Sequence, residues 1–157
     1  MRKGILLTTA SGEKVNTMTI GWGHIGIEWG KPIFVAYVRE SRYTKELLDE
    51  TGEFTVNIPL EDADPKILGY CGTKSGRECD KIQDMALTIV EPETVHVPGI
   101  KEFPLTLECK VLFSQTQDPA LLPEDIRKRF YPADAGMLPD AHTAYYGEIL
   151  DAYLITE

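Results

Sequence analysis

Two short stretches of the chain concentrate groups that hold anions. Arg39-Glu40-Ser41-Arg42-Tyr43-Thr44 sets two guanidiniums and two aliphatic hydroxyls between an apolar run and a helix-like pattern. Cys71-Gly72-Thr73-Lys74-Ser75-Gly76-Arg77-Glu78-Cys79-Asp80-Lys81 puts two glycines, two hydroxyls and three cations into eleven positions. An arginine grips a phosphate through two parallel hydrogen bonds. Backbone N–H groups at a helix start have no partner within the helix, and the helix dipole adds positive charge there. The second stretch is not a P-loop, because its Lys-Ser pair precedes the second glycine. Each stretch has a plainer reading: Ser41 or Thr44 as a simple helix cap, and residues 71–81 as a mobile surface loop. One phosphorylated ligand held by both stretches accounts for them together.

The elements that must position these groups follow from the hydrophobic pattern. Ile33-Phe34-Val35-Ala36-Tyr37-Val38 is an apolar strand delivering the first stretch, and Leu47-Leu48 belong to a helix over 44–50 that Gly52 ends. Ahead of them, Ile5 to Thr9 and Val15 to Trp22 read as a β-hairpin about Ser11-Gly12-Glu13-Lys14. The second of these strands carries Asn16, Thr17 and Thr19, with Met18 between them. Gly21 and Gly23 flank Trp22, where missing Cβ atoms admit backbone or ligand. Gly26, Gly30 and Pro32 read as a break. Phe54 to Ile58 is a further strand, and Glu61 to Pro65 opens a short helix through Ile67 and Leu68.

Downstream, Leu87 to Val90 and Val95 to Val97 read as short strands. Leu105 to Phe113 alternates so clearly that a half-buried antiparallel strand is expected, with Leu105, Leu107, Cys109, Val111 and Phe113 on the apolar side. Pro119 to Phe130 reads as helical, with Arg127-Lys128-Arg129 solvated at its C-terminal end. Tyr131 to Asp140 is an excursion, and Tyr145 to Ile155 a last strand with Gly147 at a bulge. Roughly seven or eight short strands with two or three inserted helices point to a mainly β, closed antiparallel barrel rather than a doubly wound fold.

Composition bounds the partners. A chain of 157 residues fits one domain, 1–157, with a core of its own, and 43% hydrophobic with 26% charged residues is an ordinary globular balance. A net charge of −9 opposes unspecific binding to nucleic acid or an anionic membrane, so any anion must be held locally. Cys71, Cys79 and Cys109 lack C-x-x-C spacing, which suggests neither a disulfide framework nor a metal site. The start Met1-Arg2-Lys3-Gly4 with Ile5-Leu6-Leu7 is too brief for a signal-peptide core, and a cytoplasmic protein is expected.

Several pieces, in order, resemble the flavin reductase-like family, its flavoredoxin branch especially. They are Asn16-Thr17-Met18-Thr19, Pro32 before an apolar strand, Ser41-Arg42-Tyr43-Thr44-Lys45-Glu46-Leu47, Gly52 to Asn57, Ser75-Gly76-Arg77 with Asp80-Lys81, and His142 before Gly147-Glu148-Ile149. The resemblance implies an FMN-binding split β-barrel with Greek-key-like topology, forming a homodimer with flavin near the subunit interface. It assigns Asn16, Thr17, Met18 and Thr19 to the ribityl chain and isoalloxazine edge, through backbone and hydroxyl donors. Ser41, Arg42 and Thr44 fall to the phosphate, with Ser75, Gly76, Arg77 and Lys81 closing over it. His142 matches a family histidine suited to donate a proton or orient substrate. Cys79 departs from the pattern, where a small aliphatic residue is usual.

The implied activity is an oxidoreductase passing electrons from NADH, NADPH or a reduced partner through bound FMN to free flavin, ferric iron or a protein acceptor. No G-x-G-x-x-G is present, and in this family the nicotinamide would stack on the flavin without a Rossmann unit. The alternatives are a noncatalytic flavin- or haem-binding module on the same barrel, and an activity like that of the related pyridoxamine-phosphate oxidases.

Overall fold

The first hairpin turns at Gly12, whose φ of +58° favours glycine, and joins β1 (Ile5–Ser11) to β2 (Lys14–Ile20). This computed structural model describes residues 4–156, and the basic start Met1-Arg2-Lys3 read above lies outside them. The next strand was not anticipated. Where the glycines and Pro32 read as a break, β3 (Gly23–Glu28) pairs with β4 (Lys31–Arg39) around Trp29-Gly30. Both turn residues have positive φ, 52° and 71°, the tight primed turn that matches strand twist. Tryptophan at such a position gives no turn signal, which is why the sequence hid this hairpin.

Helix α1 (Tyr43–Thr51) follows β4 and ends at Gly52 in the left-handed conformation, then β5 (Glu53–Ile58) returns. Helix α2 (Pro65–Thr73) is capped by the Asp64 carboxylate, and a short α3 (Lys81–Asp84), absent from the sequence reading, is capped by Asp80. The two-residue strands β6 (Ile89–Val90) and β7 (Gly99–Ile100) pair with each other. Val95 to Val97, expected as a strand, instead lies in the loop between them, because its backbone donors are taken by carboxylates rather than by a neighbouring strand. Strand β8 (Leu105–Thr116) leads to a 3-10 turn at Pro119–Leu121 and to α4 (Glu124–Phe130), in place of the single helix expected. Strand β9 (His142–Leu154) completes the described chain.

The large sheet has the order β2-β1-β5-β8-β9-β4-β3, every neighbour antiparallel. It curls until β2 lies alongside β4, yet the two are not hydrogen-bonded neighbours. The barrel is therefore split rather than closed, and the opening faces the site. Inside it pack Leu7, Met18, Phe34, Phe54, Val56 and Tyr145 with Leu48 of α1. Strand β4 reads as an unbroken apolar run because both faces are covered: Phe34, Ala36 and Val38 point into this core, while Ile33 and Val35 join a cluster with Ala144 on the other face. A further cluster of Leu6, Ile67, Leu68 and Cys71 seats α2 against β1.

Strand β8 departs from the half-buried reading. Thr106 and Glu108, on the supposed polar side, are as buried as their apolar neighbours. The expected irregularity at Gly147 is a bulge on the partner strand, where Leu112 is the extra residue opposite Gly147 and Tyr146. A Cβ on Gly147 would lie 2.5 Å from the Phe54 ring, so that ring fills the space. Among the described residues no helix is long and apolar enough to cross a membrane.

Candidate functional site

Strand β4 ends at Arg39 and the chain turns into α1 with Arg42 as its N-cap residue, so the first cationic stretch sits at the split of the barrel. The second stretch runs from the end of α2 to Lys81 and faces it. A cleft of about 330 Å³ lies between them, walled by Arg39, Ser41, Arg42 and Thr44 on one side and Lys74, Ser75, Gly76, Arg77 and Lys81 on the other. Asn16 and Met18 of β2 form its floor. The two cationic stretches thus share one space.

The groups in it differ in how free they are. The half-buried Arg42 guanidinium has no hydrogen-bond or ion-pair partner among the described residues. Lys81 is buried and donates to the carbonyls of Thr17 and Cys71, both at 3.0 Å, leaving the third ammonium N–H for the cleft. Burial lowers its pKa, and Arg42 lowers it further, while Cys71 and Cys79 pull it back up. Arg77, by contrast, is engaged: Nε and Nη2 donate to Glu46 and Nη1 donates to the Ser41 carbonyl at 3.2 Å. That contact straps the loop over the mouth of the cleft, and being exposed it contributes no more than about 1 kcal/mol. The Ser75 hydroxyl accepts from the Arg77 N–H at 3.3 Å.

Gly76 presses on the cleft floor, where a Cβ would fall 2.1 Å from Asn16 Oδ1 and 3.0 Å from the Tyr43 ring. Asn16 Nδ2 donates to Thr44 Oγ1 at 2.9 Å, and its Oδ1 is buried without a partner. An orphaned buried acceptor under a loop of donors is a place where a ligand hydroxyl completes the hydrogen bonding.

Strand β2 places its remaining residues differently from the sequence reading. The Thr17 hydroxyl donates to the Leu7 carbonyl and the Thr19 hydroxyl to the Leu68 carbonyl at 2.7 Å, so both hydroxyls are committed within the protein. Met18 is buried in the barrel core. What β2 offers outward is its backbone. The Thr17 carbonyl turns away from β1 toward Lys81, and in an antiparallel ladder Thr19, two residues on, turns its N–H and carbonyl to the same open edge.

Along that edge the cleft continues. A hollow of about 200 Å³ shares Met18, Arg39 and Arg42 with it and adds Trp22, Tyr37 and His142. Beyond, an aromatic pocket of about 510 Å³ shares Gly21, Trp22 and Tyr37 and is walled by Ile126, Phe130 and Tyr131. The result is one channel, cationic at one end, edged by backbone in the middle and aromatic at the other. Trp22 was noticed for its flanking glycines. Tyr131, in the excursion, was missed and gives no local signal.

His142 is the first residue of β9 and stands at the joint of the channel. Its Nδ1 lies 2.7 Å from the Tyr131 hydroxyl, and its ring packs on Trp22 with centroids 4.7 Å apart. Burial and the nearby Arg39 guanidinium push its pKa down to about 4, Arg42 adding to this and Asp140 opposing it. At neutral pH it is an uncharged imidazole that hands on or accepts a hydrogen bond rather than a standing acid. The native value lies below the unfolded one, so the unfolded chain takes up the proton first as pH falls. Stability should therefore drop by up to about 3 kcal/mol between pH 6.5 and 4. Urea midpoints across that range check this, and His142→Gln should flatten the decline; an unchanged slope in that variant would assign it elsewhere.

An uncharacterised protein of Archaeoglobus fulgidus is 37% identical over 100 residues, 64% of this chain, and the match spans only 55% of that relative's length. Among solved structures, the flavoredoxin of Desulfovibrio vulgaris (Miyazaki F) superposes with a TM-score of 0.71 at 25% identity, covering 97% of this chain and 69% of that one. A flavoredoxin from Methanosarcina acetivorans gives 0.68 at 28% identity, covering 97% and 68%. A model of the flavin reductase like domain matches residues 1–157 in full, and the chain belongs to that family.

Proposed function

We propose that the chain binds FMN along the channel and acts as an oxidoreductase, taking electrons from NADH, NADPH or a reduced protein and delivering them to an acceptor such as free flavin, ferric iron or a protein. The observation that carries this reading is the shared cleft: both cationic stretches meet in one space that runs on along the open edge of β2. The donors fit the group. Arg42, the free N–H of Lys81 and the Ser75-Gly76 backbone would neutralise a phosphate dianion. The unpartnered Asn16 Oδ1 suits a ribityl hydroxyl, and the Thr19 backbone edge suits the hydrogen-bonding rim of the ring. The bound flavin supplies two-electron redox chemistry, while the protein sets its position and surroundings.

His142 and Tyr131 hold a proton between them at the ring end, beside Trp22 and the open aromatic pocket. Purified chain titrated with FMN should gain bound-flavin absorbance, and anaerobic NADH or NADPH should bleach it within seconds. No acquisition of flavin would sink the proposal. Acquisition without bleaching by any donor would leave a binding module.

The same reading includes a homodimer. Ile25, Ile27 and Trp29 of the β3–β4 hairpin are exposed at 59, 75 and 55%. Trp29 also approaches Phe113 and Tyr146 at 6.3 and 6.1 Å between centroids. Contiguous apolar surface of this kind marks contact with another protein surface. We assign it to a second copy, expecting twice the chain mass by light scattering and a monomer for Ile27→Glu; a monomeric wild type removes the assignment.

A further inference from the structure

Two carboxylates stand among the cations of the cleft, Glu78 and Asp140, and the second holds donors of the first cationic stretch. Asp140, at the end of the excursion before β9, accepts the Ser41 N–H on Oδ1 at 3.0 Å and the Ser41 hydroxyl on Oδ2 at 2.7 Å. These are a backbone and a side-chain donor at the entry to α1, the pair a phosphate oxygen would use there. The surrounding segment is fastened by the same strand end: Arg39 Nη1 donates to the Asp140 carbonyl at 2.8 Å and Nη2 to the Phe130 carbonyl at 3.0 Å. Residues 132–138 between these two anchors are exposed. The phosphate end of the channel and the wall of its aromatic end are thus tied through Arg39 and Asp140.

We infer that Asp140 is an affinity- and specificity-setting residue, a built-in anion that occupies the Ser41 donors until a phosphate displaces it. This rests on the placement of the FMN phosphate in the cleft. A carboxylate and a phosphate dianion cannot share these donors, since like charges a few Å apart repel by at least about 1 kcal/mol even when well solvated. Binding a phosphorylated flavin therefore carries the cost of moving Asp140 aside, and riboflavin does not incur it. Once displaced, the carboxylate no longer ties its segment to α1.

The test compares wild type, Asp140→Asn and Asp140→Glu with FMN and riboflavin by titration calorimetry at one salt concentration. Asparagine keeps an acceptor for the Ser41 N–H but loses the charge and the second acceptor oxygen, its Nδ2 donating to the Ser41 hydroxyl instead, so FMN should bind about tenfold tighter and riboflavin unchanged. Glutamate keeps the charge and should stay within about twofold of wild type for both ligands. A second readout needs no variant: in the flavin-free chain, adding FMN should speed amide hydrogen exchange over 132–139, and riboflavin should not. Equal FMN affinity in wild type and Asp140→Asn, equal gains for both ligands, or protection of 132–139 by FMN would overturn the inference while leaving the cleft reading in place. Absence of any preference for FMN over riboflavin in wild type and both variants would overturn the cleft reading itself.

Discussion

Replacing Arg42 by alanine is expected to weaken FMN binding about a hundredfold while changing riboflavin by about threefold at most. Two charge-assisted hydrogen bonds from one guanidinium contribute on the order of 3 kcal/mol when the site is partly desolvated. Arg42 meets those conditions, being half-buried, free of partners among the described residues and set at the start of α1. Arg77 does not, because its guanidinium must first release Glu46 and the Ser41 carbonyl, so Arg77→Ala should lose less. The selectivity between the two flavins matters more than the size of the loss. Equal losses for FMN and riboflavin would place Arg42 at the wrong end of the ligand.

The largest stability effect is expected at Glu108. Its carboxylate is fully buried and accepts the N–H groups of Glu93, Thr94 and Val95 and the hydroxyls of Thr94 and Tyr153, at 2.6 to 3.2 Å. Glu108→Leu strands these donors and should destabilise the fold by about 4 kcal/mol, read as a fall in the urea midpoint at constant slope. Burial alone would raise the Glu108 pKa, but the hydrogen bonds from Thr94, the 93–94 backbone and Tyr153 outweigh it and hold it below the usual glutamate range. Its contribution is therefore complete above that range and is lost as pH falls through the depressed native value. Acid unfolding should show the His142 decline first and the Glu108 decline below it. A midpoint unmoved in Glu108→Leu would mean that the 91–97 loop is held by other contacts.

What could be read from the sequence followed from where the signals are local. Arginines and glycines clustered in an acidic chain mark out two cationic stretches by composition, and the alternation of β8 announces a strand. Glu108 falls on the other side of that alternation, and its burial is not legible there because periodicity records which positions are apolar, not whether a distant loop covers the polar ones. The hairpin of β3 was lost because its side chains are exposed and its turn carries Trp29. Asp140 lies 99 positions from the Ser41 it binds, in a stretch of prolines and small or apolar residues with no period. Thr17 and Thr19 were correctly placed on β2, but which way their hydroxyls point depends on α2 and β1, and that is decided by tertiary packing.

The pairing of Arg39 with His142 joins strands whose residues are separated by most of the chain. Ser41, Arg39 and Asp140 come together only once β9 has docked between β4 and β8. Ladders of such sequence separation form late, after the loop-closure entropy between them has been overcome. A growing chain on the ribosome would therefore hold neither end of the channel in working order, and capture of the cofactor would become a sign that synthesis has passed β9.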